Sequence, residues 1–248
     1  MKKILKILVP FVVFTVFTTT AYGLEWYTKI EKNHQRPQVP NAEMLSENGG
    51  IAIGNDEKKI YLTFDAGYEN GNVKKTADIL KKNNVKGAFF ILSNIVRTNP
   101  ELIKELSDNG NLICNHTRKH PDMSAKSEKE FKDELLSMEQ YYKEATGKEI
   151  SRFYRPPEGK YTENNLKWAK ELGYKTVFWT VAYQDWDNNN QLPKEKALNI
   201  LLSRVHNGAV ILLHPTSKTN AEILDEFIKK VRQEGYEFCL ISDIQAVV

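Results

Sequence analysis

Cysteine is scarce, with only Cys114 and Cys239 in 248 residues. Two thiols cannot build the disulfide framework of a small secreted scaffold, and a chain of this size does not need one. Both sit in apolar, strand-like runs whose order does not make them neighbours, so they read as buried free thiols. Long hydrophobic runs are lacking too. The one candidate, residues 7–17, is too short to span a bilayer comfortably. It follows Lys2, Lys3 and Lys6 and leads through small residues to Ala21-Tyr22-Gly23. That is the order of a secretory signal peptide over residues 1–23, with an uncleaved anchor as the alternative; export follows from either. A net charge is missing as well. The formal +3 is supplied by the leader's three lysines, and 3 − 3 leaves the mature chain near zero. No basic stripe with interleaved aromatics appears, so nucleic acid is not an expected partner. Neither an internal repeat nor a low-complexity linker is present.

What is there is a regular alternation. With 41% hydrophobic residues, the chain can bury one substantial core. Residues 24–57 are polar and proline-bearing, an arm laid along the domain with a weak helix near Asn41–Glu47 and a surface histidine, His34. From Lys58 onward, short apolar runs alternate with amphipathic stretches. The strand candidates are Lys58–Phe64, Gly87–Leu92, Leu112–Asn115, Phe153–Arg155, Thr176–Trp179, Ala209–Leu213 and Tyr236–Ile241. The helix candidates are Val73–Asn83, Pro100–Asn109, Ser127–Thr146, Thr162–Leu172, Lys194–His206 and Ala221–Glu234. Seven strands alternating with six helices predict an α/β domain over 58–248 with a parallel sheet, either a barrel short of eight units or a doubly wound sheet. In both, ligand sites gather at the C-terminal ends of the strands.

Chemistry-bearing residues cluster at those ends. The run KKIYLTF stops at Asp65, followed by Ala66-Gly67 rather than more apolar residues; an Asp there caps a helix or does chemistry. His116 and His120, spaced i, i+4 after the third strand, can share a metal. His214 ends the sixth strand (AVILL), where an imidazole suits a general acid. Asp185 can orient that histidine and favour its protonated form, while Tyr183 and Trp186 offer flat faces to a sugar ring. Arg155 can pair with Asp65 or Asp185 and keep a base ionised. Pro156-Pro157 stiffens its loop, so that the amide of Glu158 or Gly159 can donate to a developing oxyanion. Together these residues read as a hydrolytic site.

The ordered set TFDAG, NHTRKH, RPPEG, DW and LLH resembles the five motifs of the polysaccharide deacetylases, the NodB-homology enzymes of carbohydrate esterase family 4. The resemblance runs from about Ile60 to Ser242. The longer strings YLTFDAGYENG, NHTRKHPDM, VFWTVAYQDWDNNNQ and NAEILDE are similar to one branch, the muramic-acid δ-lactam-forming de-N-acetylases of the bacterial spore cortex. The resemblance implies a distorted seven-stranded (β/α) barrel carrying an N-terminal extension. It implies Asp65 as general base, His214 as general acid, Asp185 tuning the acid and Arg155 positioning the base. His116 and His120 would ligate a divalent metal ion, zinc or similar. Tyr68, Pro157, Glu158, Gly159, Tyr183 and Trp186 would contact substrate. The implied protein is a monomer, secreted or in the cell envelope, including the forespore intermembrane space. Its partner would be peptidoglycan glycan strands, with membrane contact only through an uncleaved leader. Two departures stand out. The family usually places a second Asp after the base as a third metal ligand, where this chain has Ala66, a position which the spore-cortex branch relaxes. Glu158 is acidic where relatives in that branch can carry a basic residue. A glycan-binding relative without catalysis, and an O-acetyl esterase on wall polysaccharide, are the alternative readings.

Overall fold

The computed structural model describes residues 23–31 and 33–244. Of the leader expected at residues 1–23, residues 1–22 lie outside the described residues. Three short elements come first: β1 (Leu24–Glu25), α1 (Ala42–Glu47) and β2 (Gly50–Ile51). Then follow β3 (Lys59–Ala66), α2 (Asn72–Lys82), β4 (Ala88–Ile91), α3 (Ser93–Thr98), α4 (Pro100–Asp108), β5 (Leu112–Asn115) and α5 (Glu128–Thr146). The second half has β6 (Ser151–Tyr154), β7 (Lys160–Tyr161), α6 (Glu163–Glu171), β8 (Lys175–Val177), α7 (Lys194–Arg204), β9 (Ala209–Leu213), α8 (Lys218–Gln233) and β10 (Glu237–Cys239).

Seven of these strands form one curled parallel sheet, a distorted (β/α) barrel. β3, β4, β5, β6 and β8 pair in that order, and β9 pairs with the free edge of β3. A bridge from Val181 to Ile211 of β9 brings the chain beyond β8 round to the other side. β10 pairs with the first half of β3, at Lys59–Tyr61, while β4 takes the second half from Thr63 to Ala66. Two expected strand ends are shifted. Arg155 lies just beyond β6, and Trp179 lies beyond β8.

Both faces of β3 are buried, and its side chains alternate between them. Ile60, Leu62, Phe64 and Ala66 face the helical layer and pack with Val73 and Leu80 of α2 and with Phe227 of α8. Tyr61 faces the barrel interior with Phe90, Cys114, Val177 and Val210. Thr63 and Asp65 share that inward face. The strand's period of two therefore turns the carboxylate at its C-terminal end into the barrel mouth. Cys114 and Cys239 are both free, on strands that are not neighbours.

The arm does more than lie along the domain. β2 joins the sheet as a parallel neighbour of β8, and β1 pairs antiparallel with β7. The Trp26 ring stacks on Phe178 at 4.3 Å, and its indole N–H donates to the Trp179 carbonyl at 2.9 Å. Arg36 donates to the carbonyls of Gly54 and Asn55, both at 3.0 Å, and of Asn207. These bonds fasten the arm at both ends of the barrel. Among the described residues, no helix is long and apolar enough to cross a membrane.

Candidate active site

A cavity of about 570 Å³ opens at the C-terminal ends of the strands, lined by residues from every motif of the sequence set. Asp65, His116, His120, Glu158, Gly159, Trp186 and His214 all border it. Three further expectations fall elsewhere. Pro157 is buried and does not border the cavity, whereas its neighbour Pro156 does. Tyr68 stands outside, its hydroxyl accepting a bond from Asn188 Nδ2 at 2.6 Å. Tyr183 is buried and offers no face to this cavity; its hydroxyl donates to the amide oxygen of Asn220. It supports the site from behind.

Arg155 resolves its two possible partners in favour of Asp65. Its Nη1 donates to Asp65 Oδ1 at 2.7 Å and its Nη2 to Thr63 Oγ1 at 2.8 Å. Its Nε donates to the Val177 carbonyl at 3.2 Å, and the guanidinium lies 4.2 Å from the centre of the Phe90 ring. The residue is wholly buried. A buried cation is tolerated only when paired and hydrogen-bonded, and Arg155 is both. Burial by itself raises the Asp65 carboxyl, but the charge of Arg155, with the neighbouring imidazoles of His116 and His214, outweighs it. The net shift is downward, and Asp65 stays ionised. Oδ1 is committed to the guanidinium. Oδ2 faces His116 Nε2 at 3.6 Å.

His116 Nδ1 lies 2.9 Å from the Arg155 carbonyl. A carbonyl only accepts, so Nδ1 carries the proton and Nε2 turns a lone pair toward the cavity. Burial pulls the imidazole pKa down to about 4, which keeps it neutral and able to ligate. The His120 ring sits edge-on to it, centroids 5.0 Å apart. Between them the backbone turns through positive φ at Thr117 (72°) and His120 (60°). Such a turn needs support, and two side chains supply it. Thr117 Oγ1 accepts from the His120 amide at 2.9 Å. Glu134, reaching from α5, accepts from the amides of Arg118 and Lys119 at 3.0 and 2.9 Å through one carboxylate oxygen.

These donors suit a zinc-like ion in part. Two imidazoles and a carboxylate oxygen of Asp65 are the right chemistry. The next position on β3 supplies only the methyl group of Ala66, which packs toward the helices. Among the described residues, no group of three or more His, Cys, Asp or Glu side chains is arranged to hold a metal.

His214 stands on the far wall. Its Nδ1 lies 2.7 Å from Asp185 Oδ1, and its backbone amide donates to Oδ2 at 2.8 Å. Asn220 Nδ2 donates to the same Oδ2 and, at 3.1 Å, to the His214 carbonyl. Asp185 thus takes three bonds while only 2% exposed. Burial alone pulls the His214 pKa down, but the hydrogen bond and charge of Asp185, with the charge of Asp65, outweigh it. The net shift is upward. One acid–base pair is pushed apart: a carboxylate held ionised and an imidazole that holds its proton.

Of the two expected oxyanion donors, one is spent. The Gly159 amide donates to the Pro156 carbonyl at 3.1 Å. Glu158 sits at φ 56°, with its carboxylate turned to Lys160 at 2.7 Å. Gly159 itself admits no side chain, since at φ 69° a Cβ would lie 3.0 Å from Trp26 Cβ and 3.1 Å from Trp179 Cη2. Sequence reasoning missed Thr63, Glu134 and Asn220. Only Asn220 carried a local signal, a polar residue in the first turn of a helix that begins beside the motif histidine.

Known proteins resemble this chain in sequence and in fold. The family model for polysaccharide deacetylase matches residues 52–177. The chain is 42% identical to the peptidoglycan-N-acetylmuramic acid deacetylase PdaA of Bacillus subtilis, over 89% of this chain and 85% of that protein. The solved structure of PdaA, a family 4 carbohydrate esterase, superposes with a TM-score of 0.86, covering 90% of this chain and 96% of the other. A peptidoglycan-N-acetylglucosamine deacetylase of Bacillus cereus is 31% identical over 76% of this chain and 69% of its own length. A family 4 pseudoenzyme from Bacillus anthracis is also similar, at 28% identity and a TM-score of 0.73, over 79% of this chain and 68% of that one.

Proposed function

The chain belongs to the polysaccharide deacetylase family, and from that premise we propose that it is an exported peptidoglycan de-N-acetylase acting on N-acetylmuramic acid or N-acetylglucosamine of the glycan strand. The observation that carries this reading is the pair of opposed groups across one cavity, Asp65 held ionised by Arg155 and His214 held protonated by Asp185.

In this reading Asp65 Oδ2 is the general base. It takes a proton from the attacking water as the oxygen bonds to the acetamide carbon. The Glu158 amide donates to the oxygen that becomes negative. His214 delivers the proton on Nε2 to the amine nitrogen as the C–N bond breaks, leaving acetate and a free sugar amine. General acid–base catalysis contributes about 10²–10⁴-fold per group, and an oxyanion donor about 10²–10³-fold. A divalent ion, when held by His116 and His120, would polarise the acetamide carbonyl. Export through the leader and a place in spore-cortex δ-lactam formation belong to the same proposal.

The test is acetate and free-amine release by the purified mature chain from glycan strands, with and without added zinc. Product with either sugar supports the proposal; a folded protein giving none with any divalent metal defeats it. Ala66 favours one competing reading, a glycan-binding relative without turnover. That reading requires glycan binding without any acetate release.

A further inference from the structure

Beyond the catalytic cavity, across the wall formed by Trp179, Trp186, Leu212 and His214, lies a second groove of about 520 Å³. Its floor is apolar. Trp186, Leu192 and Ile200 line it, and Ile30 of the arm closes one side. Two cations border it, Lys196 and Arg204, both from α7. The lining contains no Asp or Glu. That is unusual on this surface, where lysines mostly stand beside acids: the neighbouring Lys194 pairs with Glu222 at 3.2 Å. Among the described residues neither Lys196 nor Arg204 forms an ion pair. Arg204 gives one guanidinium nitrogen to the Ala182 carbonyl, which fixes the group and leaves its other donors free. One exposed and one half-buried cation over apolar surface, without internal counter-charge, suit an amphipathic anion.

We propose that this groove is a carboxylate subsite for the lactyl ether of the muramic acid residue being deacetylated. The inference rests on the deacetylase reading above and deepens it by choosing between the two amino sugars. The chemistry of the sugar supplies the geometric link. In N-acetylmuramic acid the acetamide and the lactyl ether occupy adjacent ring carbons. In the proposed pose, an acetamide between Asp65 and His214 places the lactyl group over the wall that the two pockets share. Its methyl group meets the apolar floor and its carboxylate meets Lys196 and Arg204. Glu158 borders the catalytic cavity but not this groove, and its charge is already taken by Lys160. The acid that would repel a lactyl carboxylate thus stands away from its path. N-acetylglucosamine carries a hydroxyl in place of the lactyl ether and gains nothing from the two cations.

The experiment measures binding in the Asp65→Asn background, which removes turnover, alongside kcat/KM in the parent chain. Three probes are used: peptide-free muramic-acid glycan, chitooligosaccharide, and glycan whose lactyl groups still carry stem peptides. Lys196 is solvent-exposed on a helix, so its variants fold; Arg204→Gln is included with its melting temperature. For partly exposed charge pairs, Lys196→Ala is expected to weaken the peptide-free muramic glycan about threefold and Lys196→Glu about tenfold or more. Chitooligosaccharide binding should stay within about twofold. Equal losses on both glycans, or none on either, overturn the proposal. Sensitivity confined to the peptide-bearing strand also overturns it, assigning the groove to the stem peptide. If the parent chain binds muramic glycan with Lys196 dependence yet releases no acetate, the subsite stands and the deacetylase reading fails.

Discussion

Replacing Asp185 by Asn perturbs the site while changing only one atom type. The carboxylate now accepts three bonds, from Nδ1–H and the backbone N–H of His214 and from Asn220. An amide of the same shape offers one acceptor oxygen and one NH₂ group. If that NH₂ faces the two fixed donors on the Oδ2 side, a buried N–H is left unpaired at about 1–3 kcal/mol; if it faces Nδ1, it donates to the neutral tautomer of His214 instead. The larger effect falls on His214. Burial pulls its pKa down, and the Asp185 bond and charge that overcome burial are gone, so only the charge of Asp65 still opposes it. The imidazole becomes neutral in the working range and loses the proton that the leaving amine needs. With a general acid contributing about 10²–10⁴-fold, kcat should fall about 10²–10³-fold. The sign of the pH effect follows from the direction of the shift. Activity requires protonated His214 and declines as pH rises through its pKa; Asp185→Asn moves that declining limb to lower pH. The assay is acetate release across pH 5–9 with a melting curve for each protein. A rate within about threefold of the parent, or a declining limb that does not move, would refute the role given to His214.

Removing Arg155 by alanine leaves Asp65 buried without its cation, so about 3–5 kcal/mol of stability should be lost, read by urea unfolding; a loss below about 1 kcal/mol contradicts the pairing. Asp65 has a lowered pKa in the folded state, so its stabilisation is present above the unfolded value near 3.8 and fades as pH falls through the folded value. An Asp65→Asn protein should lack that part of the acid unfolding; identical acid profiles would exclude it. Glu134→Ala frees two amides of the histidine turn, and zinc affinity measured by competition with a chelator should drop about 10-fold or more, as for other supporting groups around a metal. Glu134→Gln, which keeps an acceptor oxygen, should recover most of that affinity, and a shift in melting temperature without any change in zinc affinity would make Glu134 merely structural. Gly159→Ala places a methyl group against Trp26 and Trp179 at positive φ, at about 1–3 kcal/mol; an unchanged melting temperature would contradict the crowding.

The alternation of strands and helices was legible because β3 and its partners announce themselves by composition and glycines punctuate the helices between them; the choice of a barrel over a doubly wound sheet came only with the family resemblance. Asp65, His116 and His214 were legible because each stands at a strand's C-terminal end, which in a parallel sheet is where ligands bind, and His120 because of its i, i+4 spacing from His116. The arm's entry into the sheet was not. β2 is two residues long, too short for any periodicity, and its pairing with β8 depends on contacts made 120 or more residues away. Thr63, Glu134 and Asn220 escaped for the same reason: each is an ordinary polar residue whose partner is fixed only by tertiary packing. Tyr183 and Tyr68 show the converse. A tyrosine near a motif reads as a sugar platform, yet Tyr183 is turned inward to hold Asn220 and Tyr68 outward to meet Asn188.

The division of labour across the cavity is tested most directly by single-turnover acetate release from a defined glycan strand, comparing the parent chain with folded Asp65→Asn and His214→Ala proteins. The opposed acid and base predict losses of about 10²-fold or more in both variants, with glycan binding retained. Near-parental release by either variant would mean that the proton transfers run through other groups.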